Sequence, residues 1–135
     1  MSIDNVRLSL GKFDTILILG NNFGLFSNKT KARVLLRRFL KMMNPKGRII
    51  AESLDIYKRP VDPAHRPYHV INIKRGRMPG QVKIRIRYRS LVTPWFDYLL
   101  ASKKEMKQIL EGTGCRAERF FSSKGPSYIA IIERE

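Results

Sequence analysis

The sequence predicts an α/β fold, in which helices pack on a sheet that contains parallel strands. A continuous apolar run, Ile16–Leu19, ends at a cluster of glycines and asparagines, which is typical of a strand buried on both faces. A helical pattern and a second apolar run follow within about 40 residues, the layout of a parallel strand–helix–strand unit. A stretch of strict alternation at residues 82–89 indicates an antiparallel element added to this unit.

Length and composition indicate one folded domain. The chain has 135 residues, 43% of them hydrophobic, so we treat 1–135 as a single domain. No apolar run approaches the roughly 18 residues that a membrane span requires, and the first residues lack the pattern of a secretory signal. The single cysteine, Cys115, is typical of a buried thiol in a reducing compartment, so we expect a cytoplasmic protein.

The positive charge is high and concentrated in two segments. The formal net charge is +16; residues 29–48 hold eight Lys or Arg and no acidic residue, and residues 58–89 hold ten against Asp62 alone. Such concentration favours an anionic partner, such as nucleic acid, a phosphate-bearing substrate or a membrane surface. A solvated basic surface would explain the charge equally well.

The first strand, Phe13–Leu19, leads into a loop that is a candidate ligand site. Ligands of open α/β sheets bind at the carboxyl ends of the strands. Gly20 can adopt positive φ and lets the backbone approach a ligand closely, while Asn21 and Asn22 offer hydrogen-bond donors and acceptors. A turn that satisfies only its own hydrogen bonds fits the same residues.

The second unit is a helix over Thr30–Met43, with Thr30 as its N-cap, followed by a strand over Arg48–Ser53. The apolar stripe of the helix consists of Ala32, Leu35, Leu36, Phe39, Leu40 and Met43. Glu52 and Asp55 stand near the end of the second strand, at the same edge as Asn21. They are candidate polar groups for a substrate.

Residues 54–100 combine a proline-containing loop with strand-like and aromatic segments. His65 and His69 have the spacing of helical metal ligands, but the nearby prolines argue against a helix, so we predict no metal site. Tyr68–Lys74 and Val82–Arg89 are predicted to form a hairpin whose exposed face is cationic. The aromatic cluster that includes Trp95 and Tyr98 fits either core packing or a wall over a substrate.

The last third predicts a capped helix and two strands. Ser102 and Glu105 form the pattern of a capping box for a helix that runs to about Glu111. Strands are predicted over Cys115–Phe121 and Ser127–Glu133.

The order of these elements resembles the C-terminal half of class I S-adenosylmethionine-dependent methyltransferases. The resemblance is carried by FDTILILGNN, LKMMNPKGRIIAES and SKKEMKQILEGTGCRAERF. It implies a partial Rossmann-like methyltransferase sheet with flanking helices and an inserted antiparallel hairpin, the insertion covering about 54–100. The glycine-rich cofactor loop of that family has no counterpart here, which suggests a truncated methyltransferase.

The resemblance also implies a function and its residues. It implies S-adenosylmethionine as the cofactor, with Gly20, Asn21 and Asn22 near its reacting end. The weaker candidates for substrate contact are Tyr68, His69, Arg77, Arg87, Trp95 and Tyr98. Catalysis in this family often depends on positioning, and no catalytic residue can be named from the sequence.

Truncation would leave strand 13–19 with an exposed apolar edge, so we expect a homodimer or a second chain to pair there. It would also weaken cofactor binding by this chain alone. The methyl acceptor is not identified. The alternatives to an active enzyme are a basic nucleic-acid-binding module and a noncatalytic methyltransferase-like subunit.

Overall fold

The computed structural model describes residues 8–58 and 66–135. The strands are β1 (Phe13–Ile18), β2 (Met43–Leu54), β3 (Gln81–Ile84), β4 (Arg87–Tyr88), β5 (Leu91–Val92), β6 (Phe96–Leu99), β7 (Cys115–Ser122) and β8 (Ser127–Arg134). The helices are α1 (Lys29–Met42), α2 (Arg66–Lys74) and α3 (Lys103–Leu110), with short 3-10 turns at Leu8–Leu10 and Asn22–Phe26.

A four-stranded mixed sheet forms the centre, in the order β1-β2-β8-β7. β1 and β2 are parallel, with Ile16 opposite Ile49 and Ile18 opposite Ala51. β8 lies between β2 and β7 and is antiparallel to both. The α/β fold, the parallel unit and the antiparallel closing strand are therefore confirmed.

Helix α1 begins and ends one residue earlier than the sequence predicts. Its N-cap is Asn28, whose side chain accepts the backbone N–H of Lys31 at 2.9 Å, so the prediction of Thr30 was wrong. The asparagine carbonyl can satisfy a free N–H of the first turn as well as a threonine hydroxyl can. β2 follows at Met43 without a loop and is longer than the predicted strand, because it includes residues 43–47. The pairing register with β1 shifts across residues 44–47, as in a β-bulge.

One face of the sheet carries the hydrophobic core. Ile18, Ile49 and Ile132 point from three neighbouring strands toward α1 and α3. The helical residues of this core are Ala32, Leu35, Leu36, Phe39 and Met42 from α1 and Met106, Ile109 and Leu110 from α3. Phe23 and Phe26, from the turn after β1, are completely buried in it.

The prediction that β1 is buried on both faces was wrong. Leu17 points away from the core and is 62% exposed, and Phe13 and Leu19 are also exposed. In the register of the sheet, Leu17 stands beside Ile50 and Ile131, which are half-buried. The apolar run fits a doubly covered strand, but within the described residues α1 and α3 cover only one face.

The predicted hairpin of residues 68–74 with 82–89 was also wrong. Residues 68–74 belong to α2, and Pro67 is tolerated there because the first helical turn needs no backbone donor. β3 pairs with β6 instead, and Lys83 forms an ion pair with Asp97 at 3.2 Å. The alternating stretch is split, because β3 ends at Ile84 and Arg87–Tyr88 pair with Leu91–Val92 in a separate hairpin.

The predicted capping box of α3 is confirmed. The Ser102 side chain accepts the Glu105 N–H, and the Glu105 carboxylate accepts the Ser102 N–H at 2.8 Å. Two glycines with positive φ, Gly112 and Gly114, then turn the chain into β7.

Candidate functional site

The carboxyl ends of β1 and β2 meet in a loop that is tied across the two strands. Gly20 and Asn21 follow β1 with φ of 66° and 59°, so the chain turns sharply where the strand ends. The backbone N–H of Gly20 donates to the Glu52 carboxylate Oε2 at 2.6 Å. This bond from the parallel neighbour fixes where the loop begins.

Tyr98 holds the other side of the same loop. Its hydroxyl donates a hydrogen bond to the backbone carbonyl oxygen of Asn21. Burial raises the pKa of Tyr98, and the negative charge of Glu52 raises it further, so the hydroxyl remains protonated and a donor. The sequence placed Asn21 and Tyr98 on different sides of the site, and the structure brings them into direct contact.

Gly24 makes this contact possible. A Cβ built at Gly24 would collide with the ring of Tyr98, so only glycine lets β6 lie against the turn Asn22–Phe26. The aromatic ring therefore packs directly on the chain segment that follows β1.

The side chain of Asn21 contains a buried polar atom without a hydrogen-bond partner among the described residues. This atom is the carbonyl oxygen Oδ1. A buried acceptor without a donor is costly, and such atoms are rare in native structures. Asn22 and Gly20, on either side of it, are exposed. The loop therefore has an unsatisfied acceptor next to backbone that a ligand can reach.

A buried polar network supports the end of β2 behind the loop. The Ser53 hydroxyl donates to the carbonyl oxygen of Ala101 at 3.2 Å, and the Tyr128 hydroxyl donates to the same oxygen at 2.6 Å. Burial raises the pKa of Tyr128 well above its usual value, so it too acts as a neutral donor. These bonds join β2 and β8 to the residue before α3 and therefore fix the carboxyl end of β2 behind the loop.

A cleft of about 460 Å³ lies between the start of α1 and the segment before β3. It is lined by Asn28, Lys29, Thr30, Lys31, Gly76, Arg77, Met78 and Gln81. Three of these residues are cationic and none is acidic. Sequence analysis named Arg77 alone; the basic run at the start of α1 was the signal for the two lysines.

The remaining substrate candidates lie apart from the loop. Tyr68 is on α2, where its hydroxyl accepts the backbone N–H of Lys83 at 3.1 Å, and His69 is half-buried on the same helix. Arg87 and Trp95 are exposed in and beside the β4–β5 hairpin. The recorded partners of Tyr68 and Trp95 are Lys83 and Arg85, not Gly20, Asn21 or Asn22.

The histidine pair lies partly outside the described residues, and the cysteine is not a candidate nucleophile. His65 lies outside the described residues, and no group of three or more His, Cys, Asp or Glu side chains within 8–58 and 66–135 could hold a metal ion. Cys115 is buried, and burial raises the pKa of its thiol, so it lacks the thiolate character of a nucleophile.

Several solved structures of similar fold are methyltransferases. One from Bacteroides fragilis, in complex with S-adenosyl-L-homocysteine, is 22% identical, covers 98% of this chain and 51% of its own, and has a TM-score of 0.75. This chain has a class I methyltransferase-like fold. The CcbJ methyltransferase from Streptomyces caelestis has a TM-score of 0.67 at 6% identity, with 99% of this chain and 62% of its own covered. A methyltransferase from Clostridium acetobutylicum has a TM-score of 0.63 at 8% identity, and the match covers 99% of this chain and 63% of that protein.

These similarities concern the fold. This chain spans about half to two thirds of the length of those proteins. No family model matches the sequence, and no curated protein matches it. Within the described ranges, no helix is both long and apolar enough to cross a bilayer.

Proposed function

We propose that this chain binds S-adenosylmethionine at the carboxyl edge of β1 and β2 and takes part in methyl transfer to an acceptor. The observation that supports this most is the buried Oδ1 of Asn21, which lacks a hydrogen-bond donor in a loop of methyltransferase-like fold. The flanking exposed Gly20 and Asn22 would contact the same ligand. The residues present fit a ligand that carries N–H or O–H donors.

The role of the protein groups is to bind and position. Glu52 and Tyr98 fix the backbone of the loop from opposite sides, so the Asn21 side chain has little freedom to move. When bound, the cofactor supplies an electrophilic methyl group, and transfer needs the acceptor in line with it rather than a strong acid or base. This agrees with a loop in which the tyrosine is kept protonated and serves as a structural donor.

The acceptor, in this proposal, is an anionic molecule held in the cleft at the start of α1. The cleft has a volume within the range of small-molecule sites, and Lys29, Lys31 and Arg77 supply positive charge without an acidic counterpart in the lining. The turn Asn22–Phe26 connects the ligand loop to this cleft. Phosphorylated metabolites and nucleic-acid ends both fit this description. The reaction is proposed for the cytoplasm.

The exposed edge of β1 is the proposed site for further polypeptide. β1 is the edge strand of the sheet, and Leu17 and Leu19 are exposed. A second copy of this chain, or a second chain, that adds a strand beside β1 and also packs over the uncovered face would cover Leu17.

Binding of S-adenosylhomocysteine to wild type and to Asn21→Ala tests the cofactor proposal. The account predicts that the variant binds at least fivefold more weakly, because its loop lacks the amide that would accept the ligand's donor. Asn44→Ala is the matched control, since Asn44 bonds Asp14 at the opposite end of β1. Equal affinity of wild type and Asn21→Ala would contradict the proposal.

A further inference from the structure

Exposed apolar side chains are concentrated in one basic part of the chain. Residues 66–95 contain nine of the sixteen large apolar side chains that are exposed among the described residues. The same segment contains eight Lys or Arg and no Asp or Glu. Apolar exposure on this scale usually marks an interaction site, and the one-sided charge indicates an anionic partner.

The β4–β5 hairpin is the most exposed part of this segment. We call its apolar and cationic side chains the hairpin surface: Ile86, Tyr88, Leu91, Val92 and Trp95 with Arg85, Arg87 and Arg89. Leu91 is 71% exposed and Tyr88 is 63% exposed, and these two residues form the last pair before the turn. The hairpin therefore presents two exposed apolar residues, Tyr88 and Leu91, at its tip.

The turn has an arginine at a position whose backbone conformation favours glycine. Arg89 is the first residue of the two-residue turn and has φ of 54°. Residues other than glycine and asparagine seldom adopt this backbone conformation. Two strands of two residues each are marginal in water without a further surface to pack on. An exposed hairpin of this kind gains order from a partner.

We propose that the hairpin surface docks on an anionic lipid bilayer. Three of its five apolar residues are aliphatic, and aliphatic side chains gain from entering the acyl region of a membrane. Tyr and Trp are favoured at the membrane interface, and arginines can reach headgroup phosphates while their stems stay apolar. The three arginines have no ion pair with an acidic side chain in the part of the chain that the structure describes.

The details of the surface favour lipid over nucleic acid. Single-stranded nucleic acid binds through bases stacked on open aromatic faces. Here the guanidinium of Arg85 lies 4.8 Å from the centre of the Trp95 ring, and that of Arg89 lies 5.3 Å from the Tyr88 ring. One face of each ring is thus covered by a guanidinium and is closed to a base. The aliphatic side chains of Ile86, Leu91 and Val92 cannot stack on bases.

Trp95 gives a direct readout, because it is the only tryptophan of the chain and is 58% exposed. The full protein is titrated with vesicles of phosphatidylcholine containing 30 mol% phosphatidylserine and with vesicles of phosphatidylcholine alone (about 30% anionic lipid gives a cytoplasmic-leaflet-like surface). The expected result is a shift of Trp95 emission to shorter wavelength and co-flotation with the anionic vesicles. Binding to neutral vesicles is expected to be at least tenfold weaker, and salt should weaken the anionic binding.

Variants separate the contribution of apolar residues from that of charge. Leu91→Gln keeps the net charge and should weaken vesicle binding about tenfold, because an apolar tip residue is lost. Arg87→Gln and Arg89→Gln should each weaken it about fivefold. Val34→Gln is the control, since Val34 is also exposed but lies on α1. Circular dichroism verifies that each variant is folded.

Three outcomes would overturn the proposal. The first is no emission shift and no flotation with anionic vesicles. The second is loss of binding in Val34→Gln with unchanged binding in Leu91→Gln, which would place the contact on α1. The third is quenching of Trp95 by single-stranded oligonucleotides without vesicle binding, which would assign the surface to nucleic acid. None of these outcomes bears on cofactor binding, so the two proposals succeed or fail separately.

Discussion

The hydroxyl of Tyr98 donates a hydrogen bond to the backbone carbonyl oxygen of Asn21, joining β6 to the loop after β1. The two residues are 77 positions apart in the sequence, and the bond links the inserted segment to the end of the central sheet. The conformation of the proposed cofactor loop therefore depends on β6.

Removal of this hydroxyl should loosen the loop. Tyr98→Phe is expected to lower the free energy of unfolding by about 1 kcal/mol and to weaken binding of S-adenosylhomocysteine several-fold. Tyr68→Phe is the matched control, because the Tyr68 hydroxyl also bonds a backbone group but lies on α2. The control should lose similar stability without losing affinity. If both variants bind the ligand like wild type, Tyr98 has no positioning role.

A side chain at Gly24 should separate the turn from β6. Gly24→Ala places a methyl group in collision with the Tyr98 ring, so we expect a loss of about 1–3 kcal/mol in urea denaturation. Gly125→Ala is the control, since a Cβ there meets only Ser123 Oγ at 3.7 Å, an ordinary contact. Its effect should stay within about 0.5 kcal/mol. Equal stability of the two variants would show that β6 does not pack on the turn as described.

The phenol of Tyr57 should make stability depend on alkaline pH. Partial burial, the charge of Glu105 and the hydrogen bond to Glu105 Oε1 at 3.0 Å raise the pKa of Tyr57 to about 12. The unfolded value is about 10, so the stabilisation is complete below pH 10 and is lost as pH rises toward 12. The stability difference between wild type and Tyr57→Phe should therefore shrink across this interval. A difference that stays constant from pH 8 to pH 12 would contradict the raised pKa.

The uncovered edge of β1 should lead to self-association or to recruitment of another chain. Wild type is expected to show a mass in light scattering that rises with concentration, and Leu17→Lys should remain closer to monomer. Because Leu17 is exposed, the variant should keep its stability. Val34→Lys, at an exposed position on α1, should behave like wild type. A sharp wild-type monomer at high concentration would argue against pairing between copies.

The local parts of the fold could be predicted from the sequence, and the long-range parts could not. Ser102 and Glu105 are three residues apart, so their mutual bonds follow from helix geometry alone. Residues 68–74 contain Val70, Ile71 and Ile73, which favour a strand locally. They form a helix in which the buried Asn72 amide donates to the carbonyl oxygens of Pro79 and Gln81, contacts that no local pattern announces.

The same division holds for the site. The glycine and asparagines after β1 mark a strand end, so the loop could be located from sequence. The bond from Gly20 to Glu52 depends on the parallel register of β1 and β2, and the contact of Asn21 with Tyr98 depends on β6. Position alone made Glu52 a candidate polar group; only the folded chain shows that it fixes the loop.

The central claim is tested most directly by a two-dimensional NMR titration of the ¹⁵N-labelled protein with S-adenosylhomocysteine, which detects weak binding residue by residue. The account predicts saturable shifts in the amide signals of Gly20, Asn21 and Asn22 and in the side-chain amide of Asn21, with smaller shifts at Glu52. Adenosine triphosphate serves as a control for charge-driven binding. Absence of shifts at this loop would contradict the claim. So would shifts that are common to both ligands and confined to the hairpin surface or to the cleft at the start of α1.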